Sequence, residues 1–194
     1  MRSILAVASV TLFCVMAVDT TEVPVTNLPP ELRLYQDSEK CAVVQEAWYM
    51  TYTSVDLFEL HSNATCWRFT VVTALPNGAT LSLLQYEPNG TSYVLSRHES
   101  TGNRHSKQVI YARHLPDGDL HKFQVLYNDC DTCKVYATEN FKKEKGCMLY
   151  IAERVLEKEN AHCHFIFDLL CGPSYKYRRS DASCLIAHRS RPSL

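Results

Sequence analysis

Residues 65–98 read TCWRFTVVTALPNGATLSLLQYEPNGTSYVLSRH, and this stretch decides the fold class. Three runs rich in Thr, Val, Leu and Tyr are parted by Pro76-Asn77-Gly78 and Pro88-Asn89-Gly90. Those residue types build tight turns between antiparallel strands. In the first run Trp67, Phe69 and Val71 alternate with Cys66, Arg68 and Thr70. A period of two places each set on its own side of a strand. The same texture extends outward, with strands expected near 48–55, 65–74, 79–86, 92–98, 106–113, 120–127, 132–138 and 147–152. Further breakers stand at Thr101-Gly102-Asn103 and Pro116-Asp117-Gly118, and Phe123, Val125 and Tyr127 share one face of the sixth strand. The class is therefore all-β. Eight strands joined in sequence by tight turns make an antiparallel up-and-down sheet, which hides its edges by closing into a barrel. The apolar face then points inward, to fill a core or to line a cavity.

The flanks read differently. In 160–171, Cys163, Phe167 and Leu170 recur at i, i+4 and i+7, and Gly172-Pro173 follows. That is an amphipathic helix with its stop, and its apolar face needs the outer wall of the barrel. Pro29-Pro30 can start a short helix through Tyr35. Met1-Arg2, the apolar run from Ile4 to Val18 and the small residues up to Ala17 read as a secretory signal peptide. The expected organisation is a signal peptide at 1–17, a leader at 18–38 and a single domain at 39–194. No later run of about 18 apolar residues suggests a membrane-spanning helix.

Composition excludes several functions. The 194 residues carry 20 Lys+Arg against 21 Asp+Glu, a net charge of −1, so no basic face invites nucleic acid. Nine Cys point to an oxidising compartment. Loss of Cys14 with the signal peptide leaves Cys41, Cys66, Cys130, Cys133, Cys147, Cys163, Cys171 and Cys184, an even set for four disulfides with 105 possible connectivities. Cys130-x-x-Cys133 and His162-Cys163-His164 raise a zinc or redox reading. No second CxxC supports it, and alternate helix positions point apart, so no metal or cofactor is expected. GxSxG, P-loop and glycine-fingerprint motifs are absent, and acidic residues are scattered singly, which argues against an enzyme. Asn63-Ala64-Thr65 and Asn89-Gly90-Thr91 offer N-glycosylation at Asn63 and Asn89.

Five stretches narrow the reading. Ala47-Trp48-Tyr49, Asn63 to Cys66, Tyr127 to Val135, Gly146 to Tyr150, and Ala161-His162-Cys163 through Cys171-Gly172 come in that order. Together they resemble the tick salivary lipocalins, the histamine-binding family of tick saliva, over roughly residues 40–185. The GxW signature of other lipocalins is missing, as in that family. The resemblance implies a secreted, disulfide-stapled, lipocalin-like barrel with a short N-terminal helix and a C-terminal helix outside. It also implies the bridges Cys66–Cys184 and Cys133–Cys163. For the other four cysteines the expected pairing is Cys41–Cys171 with Cys130–Cys147, and Cys130–Cys133 and Cys133–Cys147 remain rivals.

Histamine-capturing members of the family use inward carboxylates, because a buried ammonium needs a fixed anion in place of its water. Their positions correspond to Met148, Phe123 and Lys134 here, and all three lose the negative charge. The expected interior, Trp67, Phe69, Val71, Phe123, Tyr127, Tyr136, Met148 and Tyr150, is apolar with hydroxyl tips and suits a fatty or amphipathic guest. A lipid carboxylate would need Arg97, Arg113 or Lys134. The expected partner is a small inflammatory mediator, a leukotriene-like lipid slightly ahead of a biogenic amine, with no nucleic acid or membrane. Two alternatives stand: a barrel filled by its own side chains, and a scaffold binding a host protein through loops near 55–64, 87–91 and 99–106.

Overall fold

Eight strands follow one another: β1 (Ala47–Thr53), β2 (Thr65–Ala74), β3 (Ala79–Glu87), β4 (Gly90–Ser100), β5 (Lys107–Leu115), β6 (Leu120–Asn128), β7 (Cys133–Glu139) and β8 (Lys145–Ala152). In this computed structural model the described residues are 30–42, 46–54, 63–100, 107–116, 118–139, 145–173 and 177–189. The expected signal peptide, most of the leader and the 101–106 turn therefore lie outside them. Each strand pairs antiparallel with the next, and β1 pairs with both β2 and β8. The sheet thus closes into the expected barrel, and closure removes its free edges. A two-residue β9 (Tyr177–Arg178) pairs with β1 at Tyr52 and Thr53, beyond the stretch of β1 that pairs with β2.

The turn chemistry accounts for the tight connections. Pro76–Gly78 forms a single 3-10 turn between β2 and β3. Between β3 and β4, Asn89 adopts the left-handed region at φ 51°, which Asn tolerates better than most residues. Gly90 then lies flat against Tyr86, where an added Cβ would come within 2.0 Å of the ring.

Apolar packing forms two layers. Inside the barrel, Met50, Trp67, Leu84, Val94, Ile110, Val125 and Met148 form one cluster. Outside, Val135, Leu149 and Ile151 pack under Cys163 and Phe167 of α1 (Ala161–Cys171). Alternation explains the split. Cys133, Val135 and Ala137 of β7 face α1, whereas Lys134 and Tyr136 face inward. Burying the whole Phe167 side chain contributes about 2–3 kcal/mol. The last described helix, α2 (Cys184–Arg189), lies over β1 and β2. There Cys184 bonds Cys66, His188 sits 2.9 Å from the Cys66 carbonyl, and its ring meets Tyr49 edge-on.

Two expected bridges, Cys66–Cys184 and Cys133–Cys163, are present, and the other pairing is corrected. The bonds are Cys41–Cys130 and Cys147–Cys171, not Cys41–Cys171 and Cys130–Cys147. The reason is geometric. From Cys163 to Cys171 a helix rises about 12 Å. From Cys133 to Ala137 a strand rises about 13 Å, and Ala137 is the register partner of Cys147. Cys171 therefore arrives beside Cys147 once Cys163 is tied to Cys133. Cys41 lies at the opposite end of the barrel, where the chain before β1 crosses. Its path is marked by a 3-10 turn, Pro30–Tyr35, whose Tyr35 stacks on Tyr127 with centroids 4.9 Å apart. Gln36 and Ser38 are buried there, so residues 30–38 pack on the barrel although they read as the end of a leader.

Candidate functional site

A cavity of about 120 Å³ occupies the barrel. One water needs about 10–15 Å³ on that measure, so the side chains of the described residues leave the barrel unfilled. Trp48 and Met50 reach it from β1, Trp67, Phe69 and Val71 from β2, and Tyr136, Met148 and Tyr150 from β7 and β8. Among its described lining residues there is no Asp or Glu.

Aromatic contacts fix the wall. Trp67 stacks on Tyr86 with centroids 4.5 Å apart, and its Nε1 donates to the Ala64 carbonyl at 3.0 Å. Tyr136 and Tyr150 lie 5.6 Å apart between centroids, and the Tyr150 hydroxyl contacts the Met148 sulfur at 3.8 Å. Burial raises the pKa of both phenols well above the usual range, so both remain neutral donors at physiological pH. At the β5–β6 end, His114 and His121 meet edge-to-face at 6.3 Å, and the Ser92 hydroxyl lies 3.1 Å from His114 Nδ1.

The polar floor lies at the end crossed by residues 36–42. Lys134 is only 7% exposed, and its Nζ sits 3.7 Å from the centroid of the Trp48 ring. Burial lowers its pKa from 10.5 to about 7, with Asp129 and Glu46 pulling weakly the other way. Neither carboxylate bonds to it. Asp129 Oδ1 instead accepts the backbone N–H groups of Asp131, Thr132 and Cys133 at 2.9, 2.7 and 3.0 Å. Burial pushes that carboxyl up, but the hydrogen bonds outweigh it and hold the group below its ordinary range. Lys134 has no ion-pair or hydrogen-bond partner among the described residues.

His98 stands on the same floor. Ser38 Oγ lies 2.8 Å from the Lys107 carbonyl and 2.7 Å from His98 Nδ1. The single Ser38 hydroxyl proton must go to the carbonyl, so Ser38 accepts from His98 Nδ1–H. That fixes the tautomer and leaves Nε2 a bare acceptor, which is buried without a partner among the described residues. Burial, then the charge of Lys134, lowers the His98 pKa to about 4. The ring is therefore neutral at physiological pH.

Of the sequence-derived candidates, Trp67, Phe69, Phe123, Lys134, Tyr136, Met148 and Tyr150 converge on this cavity. Two do not. A bulge between Val125 and Tyr127 breaks the alternation of β6, and Tyr127 stacks on Tyr35 instead of facing the cavity. Arg97 points outward and pairs with Glu99 at 2.7 Å, its side chain 66% exposed. Arg113 is exposed as well. Sequence reasoning missed Trp48, Met50, Ser96 and His98. Trp48 and Met50 carried a signal, since they alternate on one face of β1, whereas Ser96 and His98 share with Val94 the face of β4 opposite Arg97 and read as polar.

Cys133, His162 and Cys163 come within metal-ligand distance of one another. Their two sulfurs are bonded to each other, so no thiolate remains to hold zinc. Asn63 and Asn89 are both exposed. The 55–62 and 101–106 segments, two of the expected host-protein loops, lie outside the described residues. Among the described residues no helix is long and apolar enough to cross a membrane.

Residues 26–185 match the family described as Tick histamine binding protein. Among solved structures, Japanin from Rhipicephalus appendiculatus bound to cholesterol aligns with a TM-score of 0.53 and 13% identity, covering 74% of this chain and 97% of that one. The serotonin complex of AM182 aligns with a TM-score of 0.51 and 13% identity, covering 75% and 91%. At such identity these two structures speak for the fold. No curated protein matches the sequence.

Proposed function

As this chain belongs to the tick histamine-binding protein family, we propose that it is a secreted carrier that sequesters a small host inflammatory mediator with an apolar body and an acidic head. It would act by stoichiometric capture and not by turnover. The observation that carries this reading is Lys134, a buried amine on the cavity floor with no ion-pair or hydrogen-bond partner among the described residues. An isolated buried ammonium costs several kcal/mol, and an anion placed against it offsets that penalty. The aromatic and Met wall above it suits a flexible hydrocarbon body.

The similar structures bound to cholesterol and to serotonin support a barrel that admits either an apolar or an amine guest. The lining residues would choose between such guests. Lys134 repels an ammonium, and the described lining offers no carboxylate to neutralise one. A carboxylated lipid should therefore bind better than histamine.

Trp48 and Trp67 both line the cavity and report on its contents. Titrations of their fluorescence with arachidonate, its methyl ester, cholesterol and histamine test the ranking. Arachidonate should bind about tenfold more tightly than the ester, a difference of about 1.4 kcal/mol, with histamine weaker than both. Histamine binding as tight as arachidonate would overturn the assignment.

A further inference from the structure

We propose that the barrel also captures apolar aldehydes covalently, with Lys134 Nζ as the nucleophile that forms an imine. This rests on the reading that the cavity admits an apolar guest, and it adds a second chemical class of ligand.

Three observations carry it. Lys134 lines the same cavity as Met148 and Tyr150, with Nζ held 3.7 Å over the Trp48 ring. The amine is therefore presented to a guest by a rigid wall and not by a mobile surface stem. No carboxylate ties it up, because the nearby Asp129 spends its oxygen on the turn before β7. Finally, burial brings the Lys134 pKa down to about 7. About half of this amine is then unprotonated near neutral pH, against about one in 3 × 10³ for a lysine of ordinary pKa. Desolvated lysines in apolar pockets are activated in this way.

The chemistry balances without an added reagent. The Nζ lone pair attacks the aldehyde carbon and forms a C–N bond, while the carbonyl π pair moves onto oxygen. That oxygen takes the proton the nitrogen releases, giving a carbinolamine. The C–O bond then breaks, and oxygen leaves as water with the second N–H proton, so one amine and one aldehyde become one imine and one water. Tyr136 and Tyr150, kept protonated by burial, supply hydroxyls in the same cavity for a carbonyl oxygen. A cavity lined mainly by apolar side chains holds little water, which favours the imine over hydrolysis.

The test uses the full disulfide-bonded chain with nonanal as probe. Protein is incubated with substoichiometric nonanal near neutral pH, reduced with cyanoborohydride, digested and mapped by mass spectrometry. The reduced adduct should fall on Lys134 at least tenfold more than on any other lysine, and nonanol should compete it away. Lys134→Met should lose this adduct. Lys134→Arg, which keeps the charge but lacks the reactive amine, should lose it too and guards against a folding defect in the first variant. Label spread evenly over the lysines, or persisting in a folded Lys134 variant, would overturn the proposal. Tryptophan quenching by nonanal without trapping would sink the imine and leave the carrier reading standing. An absence of quenching by both nonanal and nonanol would remove both.

Discussion

Replacing Lys134 by Met should stabilise this protein at neutral pH, and the gain should fade in base. In the unfolded chain the amine titrates at its ordinary 10.5, whereas in the barrel burial lowers it to about 7. The folded state thus binds this proton less tightly than the unfolded state. The penalty is full below about pH 7, declines as pH rises through the window from about 7 to 10.5, and is gone above it. At 1.36 kcal/mol per pH unit, the fall from 10.5 to about 7 corresponds to about 4–5 kcal/mol. Met has a similar length, removes the charge and keeps a polarizable contact over Trp48. It gives up a cation–π contact worth about 1–2 kcal/mol, so the net gain near pH 7 is about 2–4 kcal/mol. The assay is urea unfolding of both disulfide-intact proteins at about pH 7, 8.5 and 10. Tyr136 and Tyr150 titrate in both proteins and cancel in the difference, and His98, with a pKa of about 4, changes only in acid. A variant less stable than the parent at pH 7, or a difference that stays flat across the window, would show that the amine is not buried uncompensated.

Other outcomes follow from the same geometry. Non-reducing peptide maps should join Cys41 to Cys130 and Cys147 to Cys171. Removing both cysteines of the pair separated by 24 residues should cost about 3–4 kcal/mol, and removing both of the pair separated by 118 about 5 kcal/mol; the reverse order in denaturant midpoints would rule out loop closure as the main term. Met148→Glu should raise histamine affinity about tenfold, since it returns a carboxylate to the cavity wall; unchanged affinity would mean that Met148 does not face the guest. Arg97→Ala should leave arachidonate affinity within about twofold, whereas Lys134→Gln should weaken it about tenfold; equal losses would contradict the outward placement of Arg97.

The barrel was legible because its turns carry residues with few other uses and because β2 alternates without interruption from Trp67 to Val71. Strands β7 and β8 were legible for a related reason: their outward faces carry the cysteines that meet α1. β4 misled because it inverts the usual rule. Its outward Tyr93 and Leu95 are 48% and 37% exposed, while Ser96 and His98 face the cavity. Polar groups placed inward for a guest look, in sequence, like a solvent face. The error at Tyr127 has another source. A bulge inserts one residue and shifts every side chain after it, and nothing in the run Phe123 to Tyr127 announces one. The Cys147–Cys171 bridge could have been derived, since helix rise and strand rise over the two spacings nearly agree. Cys41–Cys130 could not, because it depends on which end of the barrel the preceding segment crosses.

That crossing segment links redox history to selectivity. Cys41 pins the stretch that delivers Ser38, and Ser38 decides which nitrogen of His98 carries hydrogen. Free the bridge and Ser38 can withdraw, the imidazole can exchange tautomers, and an acceptor becomes a donor beneath the guest. A batch refolded with Cys41 mispaired would then keep the circular dichroism of an intact barrel and yet rank ligands differently from the secreted material.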